Sequence, residues 1–162
     1  MGSVIVDVLQ ISSSIPPARL FKSFILDSDN LMPKVLPGFF KSFETVQGDS
    51  GAGTVKLITW AEGGQIKSAK HRTDEIDEAN RVFKYTLIEG GALEDDFELV
   101  SYDMKVEDGP DGGCVYKVTS KYHTKGDNQN VIQEKIKQGH EGAKAFFHAV
   151  EAYLQANPNE YN

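Results

Sequence analysis

The stretch IQEKIKQGHEGAKAFFHAVEAYL, residues 132–154, decides the fold. Ile132, Ile136, Gly139, Ala143, Phe146 or Phe147, Val150 and Leu154 recur at spacings of three and four over roughly seven turns, which predicts one long amphipathic helix. A single apolar stripe needs an apolar surface to cover, and the residues before it supply a sheet. Strands are predicted at about 39–46, 54–61, 65–74, 80–88, 96–107 and 113–122, separated by reversals such as Glu62-Gly63-Gly64, Asp74 to Asn80 and Asp108-Gly109-Pro110. A further strand opens the chain, where Val4, Val6 and Val8 alternate with Ile5, Leu9 and Ile11, apolar on both faces. Serines 12–14 and Pro16-Pro17 then precede Leu20, Phe21, Phe24 and Ile25 at helical spacing. Asp27-Ser28-Asp29 offers the cap of a second short helix, ended by Pro37-Gly38. The class is α+β: an antiparallel sheet whose apolar face is covered by the long C-terminal helix. The helix stripe is thin at Gly139, Gly142 and Ala143, so a concave sheet packed on it leaves a cavity.

With 162 residues, 40% hydrophobic and 25% charged, the chain is expected to form one domain over 1–162. Lys and Arg total 17 against 24 Asp and Glu, so no basic field steers it to nucleic acid. The one cysteine, Cys114, rules out an internal disulfide and points to a reducing, cytoplasmic setting. No signal-length apolar segment opens the chain, and no run approaches the roughly 20 apolar residues of a membrane span. A soluble monomer is expected.

Four motifs in order carry a family resemblance: Phe24-Ile25-Leu26-Asp27-Ser28-Asp29-Asn30-Leu31 with Pro33-Lys34-Val35, the loop Gly48 to Thr54, Tyr85-Thr86-Leu87-Ile88-Glu89-Gly90-Gly91, and Lys121-Tyr122-His123-Thr124-Lys125-Gly126-Asp127. Val150-Glu151-Ala152-Tyr153-Leu154 closes the match. The whole chain resembles the birch major pollen allergen and the class-ten pathogenesis-related proteins of plants. The resemblance implies a helix-grip, START-like fold: a seven-stranded antiparallel sheet curved around the C-terminal helix, two short helices in a V, and a large internal cavity for apolar or amphipathic ligands. It also implies a cytosolic protein of defence and stress, often allergenic.

Strand alternation groups the candidate cavity residues. Lys56, Ile58 and Trp60 share a face, as do Phe83, Tyr85 and Leu87; Val100, Tyr102, Met104 and Val106; and Cys114, Tyr116, Val118, Ser120 and Tyr122. Buried tyrosine hydroxyls need partners, which a wet cavity supplies and a packed core does not. In the family the positions matching Asn30, Lys56, Phe83, Tyr85 and Tyr102 line or gate the ligand site. With Ile58, Trp60, Met104, Tyr122, Ile136, Gly139 and Ala143 they form the expected ligand-binding set. His71 joins them by resemblance, although both faces of its strand are too polar to give its direction.

The glycine loop admits two readings. Gly48, Gly51 and Gly53 permit positive φ in a tight hairpin, or their amides form an anion nest. A nucleotide P-loop does not fit, because Gly53 leads through Thr54-Val55-Lys56 into a strand. His123, His140 and His148 form no metal-ligand spacing, and neither metal nor cofactor is expected.

The leading expectation is a carrier of flavonoids, cytokinins, sterol-like hormones, fatty acids or similar metabolites. Enzymatic alternatives also follow from the resemblance. A ribonuclease has been placed at the positions matching Lys56, Glu151 and Tyr153 together with the glycine loop; yet Glu151 and Tyr153, two apart on a helix, point away from each other. A norcoclaurine-synthase-like condensation inside the cavity needs a lysine and a carboxylate, with Lys56 near Tyr85 as the candidate pair. A hormone-receptor gate is discounted, since Leu87-Ile88-Glu89-Gly90-Gly91-Ala92 lacks the gate's proline.

Overall fold

A computed structural model of the chain describes residues 2–162 except 92, 94 and 95, so the last residue of the discounted gate segment, Ala92, lies outside the described residues. In order, the chain forms β1 (Val4–Ser13), α1 (Pro17–Leu20) running into a π-helical turn (Phe21–Leu26), α2 (Ser28–Val35), β2 (Phe40–Gln47), β3 (Val55–Glu62), β4 (Gln65–Asp77), β5 (Val82–Gly90), β6 (Phe97–Asp108), a short 3-10 turn, β7 (Cys114–Thr124) and α3 (Gln129–Ala156). The seven strands make one antiparallel sheet in the order β1-β7-β6-β5-β4-β3-β2, so successive hairpins run from β2 to β7 and β1 closes against the last strand. Among the described residues, no helix is long and apolar enough to cross a membrane.

β1 differs from its expected two-faced burial. Leu9 is buried and Ile5, Asp7 and Ile11 are half-buried, whereas Val4, Val6 and Val8 remain 54%, 54% and 48% exposed. The strand lies at the sheet edge with α3 on one side only, and β-branched residues on its outer face satisfy backbone preference without burial.

β4 runs three residues beyond its expected end because Asp74 is not a turn residue. A bulge between Thr73 and Glu75 absorbs it, and its carboxylate accepts hydrogen bonds from the Thr86 hydroxyl and from Arg72 Nε at 2.9 Å. The reversal falls instead at Asp77 to Arg81, where Asn80 donates to both Asp77 carboxylate oxygens at 3.1 and 2.8 Å and Arg81 takes φ +55°.

The first short helix converts to π geometry where Ser23 bonds back to the Arg19 and Leu20 carbonyls at 2.8 and 3.2 Å. Neither short helix receives a side-chain cap. Arg19 instead holds the end of α3, donating to the carbonyls of Leu154, Asn157 and Glu160 at 2.8, 2.7 and 2.9 Å.

α3 buries Ile132 and Ile136 in its first half and Phe147, Val150 and Leu154 in its second. Nothing bulky separates the two groups, and the core divides accordingly. One cluster gathers Leu20, Phe21, Leu31, Tyr116, Phe147 and Leu154; the other gathers Phe97, Val100, Tyr122, Ile132 and Ile136. Phe147 is the fully buried member of its pair, while half-buried Phe146 lies against Phe39 and Phe40 at ring distances of 5.3 and 5.1 Å. The gap falls at Gly139, Gly142 and Ala143, the thin part of the stripe.

Candidate functional site

In that gap lies a void of about 80 Å³. The sheet contributes Asp7 and Leu9 from β1, Tyr85 from β5, Tyr102 and Met104 from β6, and Tyr116, Val118, Ser120 and Tyr122 from β7. Gly139, His140 and Ala143 of α3 close it. Tyrosine rings and Met104 form much of its wall, and its volume lies below the about 300 to 1,000 Å³ of pockets for drug-sized molecules.

Pairing across strands builds the wall. Tyr85 and Tyr102 are directly opposed in the β5–β6 ladder, and their rings stack at 4.7 Å and 20°. His71 stacks on the other side of Tyr85 at 4.9 Å and 26°, which gives its side chain the inward direction that its sequence left undetermined. Phe83 lies 5.4 Å from the Tyr85 ring.

Burial pushes the Tyr85, Tyr102 and Tyr116 phenols well above their ordinary value, and raises Tyr122 with help from the Asp7 charge. Burial, and then the nearby Lys56 charge, pull the His71 imidazole down to about 4, so it is neutral at pH 7. Yet Tyr85, Tyr102 and His71 are only half-buried by accessible surface. Groups so strongly desolvated that still keep open surface face an internal space. Among the described residues, the hydroxyls of Tyr85, Tyr102 and Tyr116 have no protein hydrogen-bond partner, and no fully enclosed side-chain polar atom is left unpaired.

Of the expected set, Tyr85, Tyr102, Met104, Tyr122, Gly139 and Ala143 line the void, with His71 stacked on Tyr85 and Phe83 tilted against it. Ile58 and Ile136 are buried in the two clusters, and Trp60 is half-buried against both. Lys56 is held by Asp29, Nζ to Oδ1 at 2.7 Å. Asn30 is a correction. It is exposed on the outer side of α2, where its amide donates to Asp27 Oδ1 at 2.7 Å, and its neighbour Asp29 faces the sheet instead. Asp7 and His140 were missed, although Asp7 is in phase with Leu9 on β1 and His140 follows Ile136 by one helical turn. His140 Nδ1 and Asp7 Oδ2 are 2.8 Å apart.

The glycine loop keeps few amides for an anion. Ser50 N donates to Thr54 Oγ1, Gly53 N to the Thr73 carbonyl and Thr54 N to the Gly51 carbonyl, at 2.9, 2.8 and 3.1 Å. Gly48 and Gly53 take φ +91° and +89°, and a Cβ on Gly48 would meet Thr54 Cα at 2.7 Å; Gly51 has no such requirement.

The residues of the nuclease reading are engaged by three different partners. Glu151 accepts from Ser13 Oγ at 2.6 Å, Tyr153 donates to Glu160 at 2.8 Å, and Lys56 pairs with Asp29.

A seven-stranded antiparallel sheet, two short helices and a long C-terminal helix closing a void lined largely by tyrosines and aliphatic residues define a helix-grip protein. Residues 5–157 match the model of the Pathogenesis-related protein Bet v 1 family, and the chain belongs to that family. It is 52% identical over 153 residues to the major allergen Pru ar 1 of Prunus armeniaca, covering 94% of this chain and 95% of that one. The crystal structure of Ara h 8.0201 superposes with a TM-score of 0.83 at 36% identity, over 95% of this chain and 99% of the other. The norcoclaurine synthase of Thalictrum flavum, solved with dopamine and hydroxybenzaldehyde, shares the fold with a TM-score of 0.78 at 22% identity, over 96% and 88% of the two chains.

Proposed function

We propose that the protein binds and carries small hydrophobic or amphipathic metabolites between its sheet and α3, as a cytoplasmic monomer with the defence role its family name carries. One observation carries this reading: three tyrosine hydroxyls, desolvated by the fold, converge on a void without protein partners. Leaving a buried hydroxyl unpaired costs about 1–3 kcal/mol, a cost that a packed core avoids and a ligand or water relieves. Burying apolar ligand surface adds about 25 cal/mol per Å². Ligands of flavonoid, cytokinin, sterol or fatty-acid size exceed 80 Å³, so they need more room than this void alone gives. Lys56, fixed by Asp29, stands outside the lining of the void. That a relative of the same fold has been solved with two small aromatic molecules supports a site of this kind.

The test is titration with an environment-sensitive hydrophobic dye at low micromolar concentration, followed by competition with a flavonol. Fluorescence is expected to rise on a natively folded protein, and Tyr102→Phe is expected to weaken the flavonol about three- to tenfold, the effect of one hydrogen bond of about 0.5–1.5 kcal/mol. Dye fluorescence fixed at the buffer level, with native circular dichroism, overturns the reading.

A further inference from the structure

Among the residues lining the void, Asp7 is the only acid, His140 is the only base, and lysine and arginine are absent. The Asp7 side chain is three-quarters covered, with 25% of its surface accessible. One carboxylate oxygen meets His140. The other has no protein partner among the described residues and keeps open surface. Tyr116, 1% exposed and likewise unpartnered, brings a hydroxyl to the same void.

We propose that the Asp7 end of the void is a subsite for the protonated amino group of a small amphipathic ligand. An alkylammonium carries up to three N–H donors and no acceptor, and this end supplies acceptors: the free Asp7 oxygen and the lone pairs of the tyrosine hydroxyls. A ligand carboxylate would bring a second negative charge against Asp7 in a poorly solvated space. The volume suits an end group of a few heavy atoms, about the room a few water molecules occupy, with the apolar remainder directed along Met104 and the tyrosine rings.

His140 Nδ1 occupies one Asp7 carboxylate oxygen at 2.8 Å and leaves the other to the ligand. The subsite rests on the ligand-binding reading above but can fail separately from it.

The test uses the full chain at pH 8.5, where imidazole is ordinarily neutral and alkylamines are charged, with hexylammonium, hexan-1-ol and hexanoate as probes of equal length. Binding is read by calorimetry and by displacement of the hydrophobic dye. Hexylammonium is expected to bind at least fivefold more tightly than hexan-1-ol, with hexanoate weakest. Asp7→Asn is expected to bring the ammonium to the level of the alcohol while leaving the alcohol within twofold. His140→Gln, which frees the second Asp7 oxygen, is expected to tighten the ammonium at least twofold, and it decides the matter if Asp7→Asn does not fold. Equal binding of ammonium and alcohol to the wild type overturns the subsite, as does a preference that survives Asp7→Asn or is unchanged in His140→Gln. Failure of all three probes while the dye still binds also overturns the subsite alone, and failure of the dye as well overturns the ligand-binding reading.

Discussion

Gly139 and Tyr122 face each other at the edge of the void: a methyl group on the glycine would stand 3.0 Å from the tyrosine hydroxyl. Gly142, three residues on, has nothing within 4 Å of the same position. The two glycines therefore separate backbone propensity from contact. Alanine is favoured over glycine inside a helix by roughly 0.8–1 kcal/mol.

Gly142→Ala is expected to stabilise the protein by nearly that amount in urea unfolding. Gly139→Ala is expected to gain less than half as much, because the Tyr122 hydroxyl must move by a few tenths of an ångström. The dye should bind more weakly to Gly139→Ala than to Gly142→Ala. Equal gains in the two variants would show that Tyr122 does not press on this face of α3.

The His71 imidazole carries a pH dependence whose sign is fixed by its environment. The folded chain protonates it near 4 and the unfolded chain near the ordinary 6.5, so between these values the unfolded state binds more protons. Stability from this group is full above about pH 6.5 and is lost as pH falls towards 4, a loss on the order of 3 kcal/mol in total. His71→Gln should flatten that part of the stability–pH curve. Lys56→Met should raise the imidazole pKa in an NMR titration, because the lysine charge is one cause of its depression. A His71 resonance that titrates near 6.5 in the folded protein contradicts the stacked, desolvated placement.

Cys114 is fully buried, and burial followed by the Glu151 charge pushes its thiol up to about 11. Thiolate is the reactive species, so a thiol reagent at pH 8 should label the native protein slowly and the unfolded chain quickly. Stoichiometric labelling of native protein within seconds would mean that β7 exposes this face.

Much of the site was legible because it depends on periodicities of two and 3.6. The thin stretch at Gly139 and Ala143 located the void, and alternation put Tyr85, Tyr102 and Tyr122 on its wall. What escaped depends on partners remote in sequence or on single-residue phase. Asp7 interrupts an apolar strand, and only His140, brought in by α3, gives its inward direction a reason. On α2 the choice between Asp29 and Asn30 is one residue of helical phase, and the position of Lys56 on β3 decides it. Asp74 reads as a turn residue until the Thr86 hydroxyl on the neighbouring strand holds it in a bulge. The volume of the void escaped as well, because it depends on how tyrosine and methionine side chains settle, which no spacing encodes.

The pairing of β1 with β7 joins Val4 to His123 and Ser13 to Cys114, so the first strand has no ladder partner until more than a hundred further residues exist. During synthesis, at about 5–20 residues per second, that is a wait on the order of ten seconds. Throughout it Val4, Val6, Val8 and Leu9 are presented as an unpaired apolar strand. The hairpins from β2 to β7 can zip in the order they emerge, whereas the β1 ladder is a loop closure of high contact order and must come last. A nascent chain stalled before β7 is therefore the species that a holding chaperone would meet, with the valine row as its point of contact.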